Sequence, residues 1–172
     1  GTALSAEDLE DIHLAVQTIT RRSEALIRFV SDFRNLTHLP EPNFTHVKVA
    51  DVFQHVKILM EQECSKLEIR LETRLEPQSL IITADREMIE QVLINMIKNA
   101  GQALSEMNHQ ENKFKQILIS AKQNAENRPV ISVQDNGPGI DKDAIDRIFI
   151  PFFTTKKSGS GIGLSLSRQI MR

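Results

Sequence analysis

The stretch Val130–Ile140, VISVQDNGPGI, decides how the C-terminal part of the chain folds. Its first residues alternate apolar and polar side chains, which is typical of a half-buried β-strand. Asp135 follows at the end of this strand, and the next residues form a turn that carries Gly137 and Gly139. Taken alone, the pattern favours an ordinary turn over a ligand-binding carboxylate, so the other segments of the chain have to decide between the two.

Composition places the chain among ordinary globular proteins. It has 172 residues, of which 40% are hydrophobic and 26% are charged, enough for one core or one domain with an appendage. The 21 basic and 23 acidic residues give a net charge of −2, so we expect no nucleic-acid partner. The single cysteine, Cys64, excludes an internal disulfide. With no signal peptide and no apolar run long enough for a bilayer, we expect a soluble chain whose membrane anchor, if any, lies outside it.

The first part of the chain predicts one long helix, from about residue 7 to residue 37. Apolar residues recur there at spacings of three and four, which is the heptad pattern of a coiled coil. A single helix cannot bury such a seam, so we expect it to pack on another helix, in the same chain or in a second copy. Pro40 and Pro42 end the helix and mark a linker. The seam consists of Leu9, Ile12, Val16, Ile19, Ser23, Leu26, Val30 and Phe33.

The remainder predicts helices layered on one mixed sheet, an α+β architecture with two layers. Asp85 is expected to cap the long helix that follows it. The predicted strands are residues 46–49, 67–76, 79–84, 115–123 and 129–135. The predicted helices are residues 52–66, 85–107 and 141–148, and one that starts near residue 162.

Three side chains share one face of the predicted helix over residues 85–107. Asn95, Asn99 and Ala103 are spaced by four residues. Amides on an otherwise apolar face are poor helix formers and are costly to bury without partners. A satisfied pair of core amides is one interpretation. The stacked pair followed by a small residue favours a second, in which this face is the floor of a polar site.

Two further motifs lie near the C-terminus. In residues 149–157 three phenylalanines crowd beside Lys156 and Lys157, and this pattern fits a hydrophobic loop anchor with solvated lysines or part of a site. In residues 158–164 glycines recur at every second position and lead directly into a helix. Such a turn presents free backbone N–H groups and a partial positive charge, which suit an anion.

The order and spacing of these four motifs resemble the nucleotide-binding domain of histidine kinases. This domain belongs to a superfamily shared with gyrase, the heat-shock chaperone and mismatch-repair ATPases, whose members have the Bergerat fold. NMIKNAGQAL at 95–104 looks like the family's N box, DNGPGI at 135–140 its first glycine box, PFFTTK at 151–156 its F box and GSGIGL at 159–164 its second glycine box. The resemblance covers roughly residues 44–172.

The N-terminal helix is also similar to part of such kinases. RRSEALIRFVSDFRNLTHLPEP, at 21–42, resembles the second helix of the dimerisation and phosphotransfer hairpin, particularly in nitrogen-regulation sensor kinases. The resemblance therefore implies two domains. Residues 1–39 would be the second hairpin helix without the first, and residues 40–172 an ATP-binding catalytic domain that is incomplete at its C-terminus.

The resemblance also implies a ligand and roles for individual residues. Asp135 would accept a hydrogen bond from the adenine amino group, Asn99 would bind Mg²⁺, and Lys156 would meet the phosphates of ATP. Residues 141–160 would form a mobile lid whose phenylalanines dock on the apolar surface of the domain. The implied ATP-binding residues are Asn95, Asn99, Ala103, Asp135, Gly137, Gly139, Ile140, Thr155, Lys156, Gly159, Ser160, Gly161, Ile162, Gly163 and Leu164.

Three differences from the patterns of related proteins refine this prediction. ATP-hydrolysing relatives carry a water-activating glutamate where this chain has Asn95, and an amide cannot take a proton from water at neutral pH, which favours a kinase. Gln102 stands where many relatives have a lysine. No histidine of the chain is followed by the acidic residue of a phosphoacceptor site, so we expect no autophosphorylation by this chain alone. These histidines are His13, His38, His46, His55 and His109.

The sequence thus predicts the catalytic region of a sensor histidine kinase with ATP and Mg²⁺ as cofactors. It would phosphorylate a histidine, from which the group passes to an aspartate in a response-regulator receiver domain. The intact kinase would be a homodimer through the N-terminal helix, with this region in the cytoplasm and an anchor in the inner membrane. The alternatives are an ATP-hydrolysing protein of the same fold and a dimerisation module that binds no nucleotide.

Overall fold

A computed structural model describes residues 5–37, 39–107, 114–156 and 159–172 of the chain. The chain divides into two compact units, residues 1–39 and residues 40–172. Within the described residues, no helix combines the length and the apolar character that a membrane crossing requires.

The first unit is built on the helix α1, Ala6–Thr37, close to its predicted bounds. Its seam residues are exposed, from 48% at Ile12 to 65% at Ile19. Phe29 and Phe33, one turn apart, stack with their ring centroids 6.4 Å from each other. A helix with this much apolar surface in water gains little stability from its own contacts, so its seam is available for a partner helix.

The described part of the second unit contains nine elements, and their order agrees with the sequence prediction. They are β1 Thr45–Lys48, α2 Val49–Lys66, β2 Ile69–Glu76, β3 Ile81–Ala84, α3 Arg86–Ser105, β4 Lys115–Gln123, β5 Pro129–Asp135, α4 Lys142–Ile145 and α5 Gly163–Ile170. The predicted helix at 141–148 was too long, because the chain continues from Asp146 as turns.

The strands form two sheets, so the expectation of a single sheet was wrong. The mixed three-stranded sheet has the order β2-β4-β5, with β2 parallel and β5 antiparallel to β4. The strands β1 and β3 pair with each other instead. The Leu80 carbonyl accepts the Val49 N–H at 3.0 Å, which continues this antiparallel pairing one step beyond Lys48 and Ile81.

The core lies between α2, α3 and the three-stranded sheet. Val52, Val56 and Met60 recur every four residues on α2 and are buried, as are Ile97 and Leu104 on α3. Ile117 and Ile119 of β4 face these helices and are fully buried. This packing of helices on one face of a mixed sheet confirms the two-layer α+β fold.

Asp85 fixes the start of α3, as the sequence predicted. Its Oδ1 accepts the Met88 N–H at 3.1 Å, and its Oδ2 accepts the N–H of Asn43 in the linker at 2.8 Å. The bonds from Asn43 and Met88 lower the pKa of this carboxyl group, because they favour its charged form. The N-terminus of α3 is therefore tied to the segment that directly precedes β1.

We expect Asp85→Ala to lower the free energy of unfolding by about 1 kcal/mol at about pH 7, the usual effect of losing an N-cap. Because the folded-state pKa of Asp85 lies below its unfolded value of about 3.9, this contribution is present above that value and disappears as the pH falls through the folded-state pKa. Urea titrations at neutral and acidic pH measure it. Asp85→Asn, which keeps one acceptor, and Gln62→Ala on the exposed face of α2 are the controls, and equal midpoints for Asp85→Ala and the native chain at neutral pH would contradict the role.

Candidate nucleotide-binding site

One face of α3 forms the base of the site. Asn95, Asn99 and Ala103 lie on it as the four-residue spacing predicted, and each is partly buried. The turn after β5 and the loop that connects α4 to α5 both reach this face. The contacts below show how each loop is held against the helix.

The first contact joins α3 to the start of α5. Asn95 Nδ2 donates to the Gly163 carbonyl at 2.6 Å and to Ser167 Oγ at 3.2 Å. A Cβ atom on Gly163 would lie 2.6 Å from Asn95 Oδ1, closer than side chains approach each other. The Asn95 amide therefore has partners within the protein, and residue 163 has to be a glycine for α5 to pack this closely.

The second contact brings Lys156 to the middle of α3. Its Nζ donates to the Asn99 carbonyl at 3.2 Å and to Gln102 Oε1 at 2.8 Å. Partial burial lowers the pKa of the Lys156 ammonium group, and the carboxylates of Glu106 and Asp135 oppose this shift. The predicted phosphate-binding lysine is thus close to the predicted magnesium-binding asparagine. Lys157 lies outside the described residues.

The third contact places the turn after β5 on α3. A Cβ atom on Gly137 would lie 3.5 Å from Leu104 Cδ2 and 3.8 Å from the Ala103 Cβ. The Gly137 N–H donates to Asp135 Oδ1 at 2.8 Å, which fixes the direction of this exposed carboxylate. Among the described residues no hydrogen bond reaches Oδ2 of Asp135. The second carboxylate oxygen can therefore accept a bond from a ligand.

Asn136 holds the end of β5 in place, and the sequence analysis missed this role. Its Oδ1 accepts the Gln116 N–H at 2.8 Å, and its Nδ2 donates to the Phe114 carbonyl at 2.7 Å. The side chain thereby extends the pairing of β4 and β5 by one step beyond Asp135. An asparagine in a turn is too common a signal to reveal such a bridge, because its partners lie on another strand.

The F box and the second glycine box meet through their backbones. The Phe152 N–H donates to the Gly161 carbonyl at 2.9 Å, and both residues have positive φ angles, 67° and 68°. A Cβ atom on Gly161 would lie 2.5 Å from the Phe152 carbonyl carbon, so no other residue fits at this position. The two motifs are therefore joined at this point by a backbone hydrogen bond.

The phenylalanines of this segment contact arginines, which the sequence analysis did not predict. The guanidinium carbon of Arg147 lies 4.3 Å from the ring centroid of Phe153, and that of Arg168 lies 5.3 Å from the centroid of Phe149. Phe149 and Phe152 remain 39% and 45% exposed. In this structure the rings of Phe149 and Phe153 are thus covered by guanidinium groups. The expected docking of the phenylalanines on the apolar surface stays a prediction for the nucleotide-bound state.

The other predicted residues occupy varied positions. Ile162 is 2% exposed and belongs to the packing beneath α5, and Leu164 is half-buried. Gly139 has a φ of +81° with open space around it, so the turn needs a glycine for its backbone conformation. Three residues of the predicted set are exposed, and within the described residues no hydrogen bond joins them to α3. They are Ile140, Thr155 and Ser160.

The residues present fit a magnesium ion that binds together with a nucleotide. In the described ranges no three carboxylate, imidazole or thiol groups converge on one point, so no cage of protein ligands exists there. Mg²⁺ commonly takes one protein oxygen, with phosphates and water as its other ligands, and the amide oxygen of Asn99 can be that ligand. A cavity of about 410 Å³ between α2 and β2 is lined by none of the predicted site residues.

We expect Gly163→Ala to detach the start of α5 from α3, because the added methyl group would collide with Asn95 Oδ1. Hydrogen exchange of the α5 amides, measured without any ligand, should become at least about tenfold faster. Asn95→Asp should have the same effect, since a carboxylate places an acceptor against the Gly163 carbonyl. Ser160→Ala, at an exposed position of the same turn, is the control. Unchanged exchange in both test variants would show that the bond does not hold α5.

The comparisons with known proteins agree with this arrangement. A family model described as histidine kinase-, DNA gyrase B-, and HSP90-like ATPase matches residues 84–172. The sensor histidine kinase ZraS of Salmonella typhi is 30% identical over 159 residues, which are 92% of this chain and 33% of ZraS. The chain thus spans about a third of this curated relative.

Two solved structures are similar over almost the whole chain. ShkA, full-length and in complex with AMPPNP, is 25% identical with a TM-score of 0.72, over 98% of this chain and 34% of ShkA. Histidine kinase ThkA, in complex with the response regulator protein TrrA, is 26% identical with a TM-score of 0.68, over 98% of this chain and 45% of that one. By its fold and its matched residues, the chain belongs to the family of histidine kinase-, DNA gyrase B- and HSP90-like ATPases.

Proposed function

We propose that this chain is the ATP-binding catalytic region of a sensor histidine kinase. The observation that carries the proposal is that the turn after β5, the loop between α4 and α5, and the start of α5 converge on one face of α3, through Asn95, Asn99 and Ala103. In the proposed reaction the γ-phosphoryl group of ATP passes to a histidine and then to an aspartate of a response regulator. The names of ZraS and of ThkA, a histidine kinase in complex with a response regulator, support this proposal.

Asp135 would select adenine. One of its oxygens is held by the Gly137 N–H, which leaves the other for the amino group of adenine. Guanine presents a carbonyl oxygen at the same position, and a carboxylate facing that oxygen would be desolvated without a partner. Such a mismatch costs on the order of a few kcal/mol, enough to reject guanine nucleotides.

Asn99 and Lys156 would bind the phosphate end of ATP. Mg²⁺, when bound, neutralises charge on the phosphates and polarises the phosphoryl group that is transferred. The amide oxygen of Asn99 would be its protein ligand. Lys156, held 3.2 Å from the Asn99 carbonyl, would supply a second positive charge beside it, and the N–H groups of residues 159–163 would meet the remaining phosphate oxygens.

Asn95 supports phosphoryl transfer over hydrolysis. Its Nδ2 atom is engaged by Gly163 and Ser167, and an amide has no basic site that could activate water. We therefore propose that Asn95 contributes to ATP binding by holding the glycine turn in place. ATP would persist in the site until a histidine approaches.

The acceptor histidine would come from outside the residues of this chain. His13, on α1, has its Nε2 hydrogen-bonded to Gln17 at 2.8 Å and is followed by a leucine. No acidic neighbour follows any of the five histidines, of which His38 and His109 lie outside the described residues. The region would act in the cytoplasm within a kinase anchored in the inner membrane, where ATP and the response regulator are available.

The exposed seam of α1 would join two copies of the kinase. Its apolar side chains, spaced for a coiled coil, need another helix to exclude water. If two copies pair through α1, the seam of one copy packs on the same seam of the other, as in a symmetric dimer. We therefore propose a homodimer of the intact kinase through this helix.

We expect Asp135→Asn to weaken ADP binding by about tenfold and to improve GDP binding, because the amide N–H₂ group opposes the adenine amino group but can donate to the guanine carbonyl. Isothermal titration calorimetry with Mg·ADP and Mg·GDP measures both affinities. Asp143→Asn, an exposed acid on α4, is the matched control. Native protein that is folded but gives no heat with ADP would favour the dimerisation module that binds no nucleotide.

Incubation with γ-labelled ATP should leave no acid-labile, base-stable label on this chain and should release phosphate very slowly. Label retained in such a bond would show that a histidine of this chain accepts the phosphoryl group. Steady phosphate release that disappears in Asn95→Ala would instead support the ATP-hydrolysing alternative. The same assay with Asn99→Ala, and with the native chain in the absence of Mg²⁺, gives the background label and the background rate of phosphate release.

A further inference from the structure

Gln102, on α3, is a neutral acceptor for the ammonium group of Lys156. Among the described residues, this is the only lysine outside α3 that is found hydrogen-bonded to this helix. Gln102 Oε1 lies 2.8 Å from Lys156 Nζ, a short bond for a charged donor, and the Asn99 carbonyl accepts from the same ammonium group at 3.2 Å. We propose that Gln102 is a positioning residue, which holds Lys156 in place for the terminal phosphates of ATP. The inference rests on the proposed function and assigns a role to a residue outside the predicted ATP-binding set.

The backbone around Lys156 prepares the lysine for this contact. Thr154 Oγ1 accepts the Lys156 N–H at 3.1 Å, and the Gly159 N–H donates to the Lys156 carbonyl at 3.4 Å. A Cβ atom on Gly159 would lie 2.6 Å from Thr154 Oγ1 and 3.4 Å from the Lys156 Cβ, so the turn is compact. The turn fixes the base of the side chain, and Gln102 fixes its tip.

An amide at position 102 has an advantage over a carboxylate. A glutamate would also accept the bond, but its charge would neutralise the ammonium group on which phosphate recognition depends. The Gln102 amide orients the lysine without cancelling its charge. Fixing the side chain before the ligand arrives also removes part of the ordering entropy that a free lysine loses on binding.

The first measurement is a double-mutant cycle on the affinity for a non-hydrolysable Mg·ATP analogue. Gln102→Met has a similar length and lacks the acceptor, and Lys156→Met lacks the charge. We expect each variant to bind about fivefold more weakly than the native chain, and the double variant to bind no more weakly than Lys156→Met alone. The inference would be overturned if the losses of affinity in the two single variants multiplied in the double variant. It would also be overturned if Gln102→Met bound the analogue as tightly as the native chain does.

The second measurement needs no nucleotide. Acetylation with an N-hydroxysuccinimide ester at constant pH, followed by peptide mass spectrometry, reports how accessible the Lys156 amine is. The exposed Lys98 of the same helix serves as the internal reference. Relative to Lys98, labelling of Lys156 should increase at least about threefold in Gln102→Met, because the amine loses its acceptor, and should not increase in Gln102→Glu, which retains an acceptor.

The two measurements separate this inference from the proposed function. If the native chain binds no nucleotide, the proposed function is wrong, but the labelling experiment still tests whether Gln102 holds Lys156. Equal labelling in the native chain and Gln102→Met would overturn the inference even if ATP binds. Because Gln102 is exposed, we expect the thermal midpoint of Gln102→Met to match that of the native chain, and circular dichroism verifies that the variant is folded.

Discussion

The hydrogen bond from the Asn95 side chain to the Gly163 carbonyl is the interaction on which the rest of the site depends. It crosses 68 positions of sequence and joins the central helix of the domain to the last one. A half-buried amide without partners would cost about 1–3 kcal/mol, so the packing of α5 and the satisfaction of Asn95 require each other. Gly163 begins α5, and the turn proposed to bind phosphates directly precedes it. The position of that turn is therefore determined by α3.

The influence of this bond extends to the F box through a second backbone contact. Gly161 lies two residues before Gly163, and its carbonyl accepts the Phe152 N–H. Phe152 and Gly161, the two residues joined by this bond, both have positive φ angles, which allow the chain to reverse its direction. Lys156 lies between them in sequence. Lys156 contacts α3 through Gln102, and Gly163 contacts it through Asn95, so the two contacts bring both ends of the described turn to the same helix.

The sequence alone was sufficient to predict the features that depend on residues close to one another along the chain. The bounds of β4 and β5 follow from alternating side chains between turn residues, and Asp85 was identified as a cap because it precedes an apolar helix. The four motifs located α3, β5 and the two loops. Contacts across the fold were not accessible in this way. Nothing near Gln102 in sequence indicates Lys156 as its partner, and nothing near Arg168 indicates Phe149. The pairing of β1 with β3, apart from the main sheet, likewise depends on contacts between residues far apart in the chain.

The distribution of charge around α3 explains why the site can be both selective and reversible. Specificity for the base requires a rigid carboxylate, and Asp135 has one because the Asn136 bridge and the Gly137 N–H fix the end of a strand. Recognition of phosphates tolerates more movement, because Coulomb attraction varies gradually with distance, and its lysine is carried by a loop. In the proposed function, Asp135 would contact the base, and Lys156, on a separate loop, would contact the phosphates. Movement of the loop that carries Lys156 would then release the product without disturbing the strand that carries Asp135.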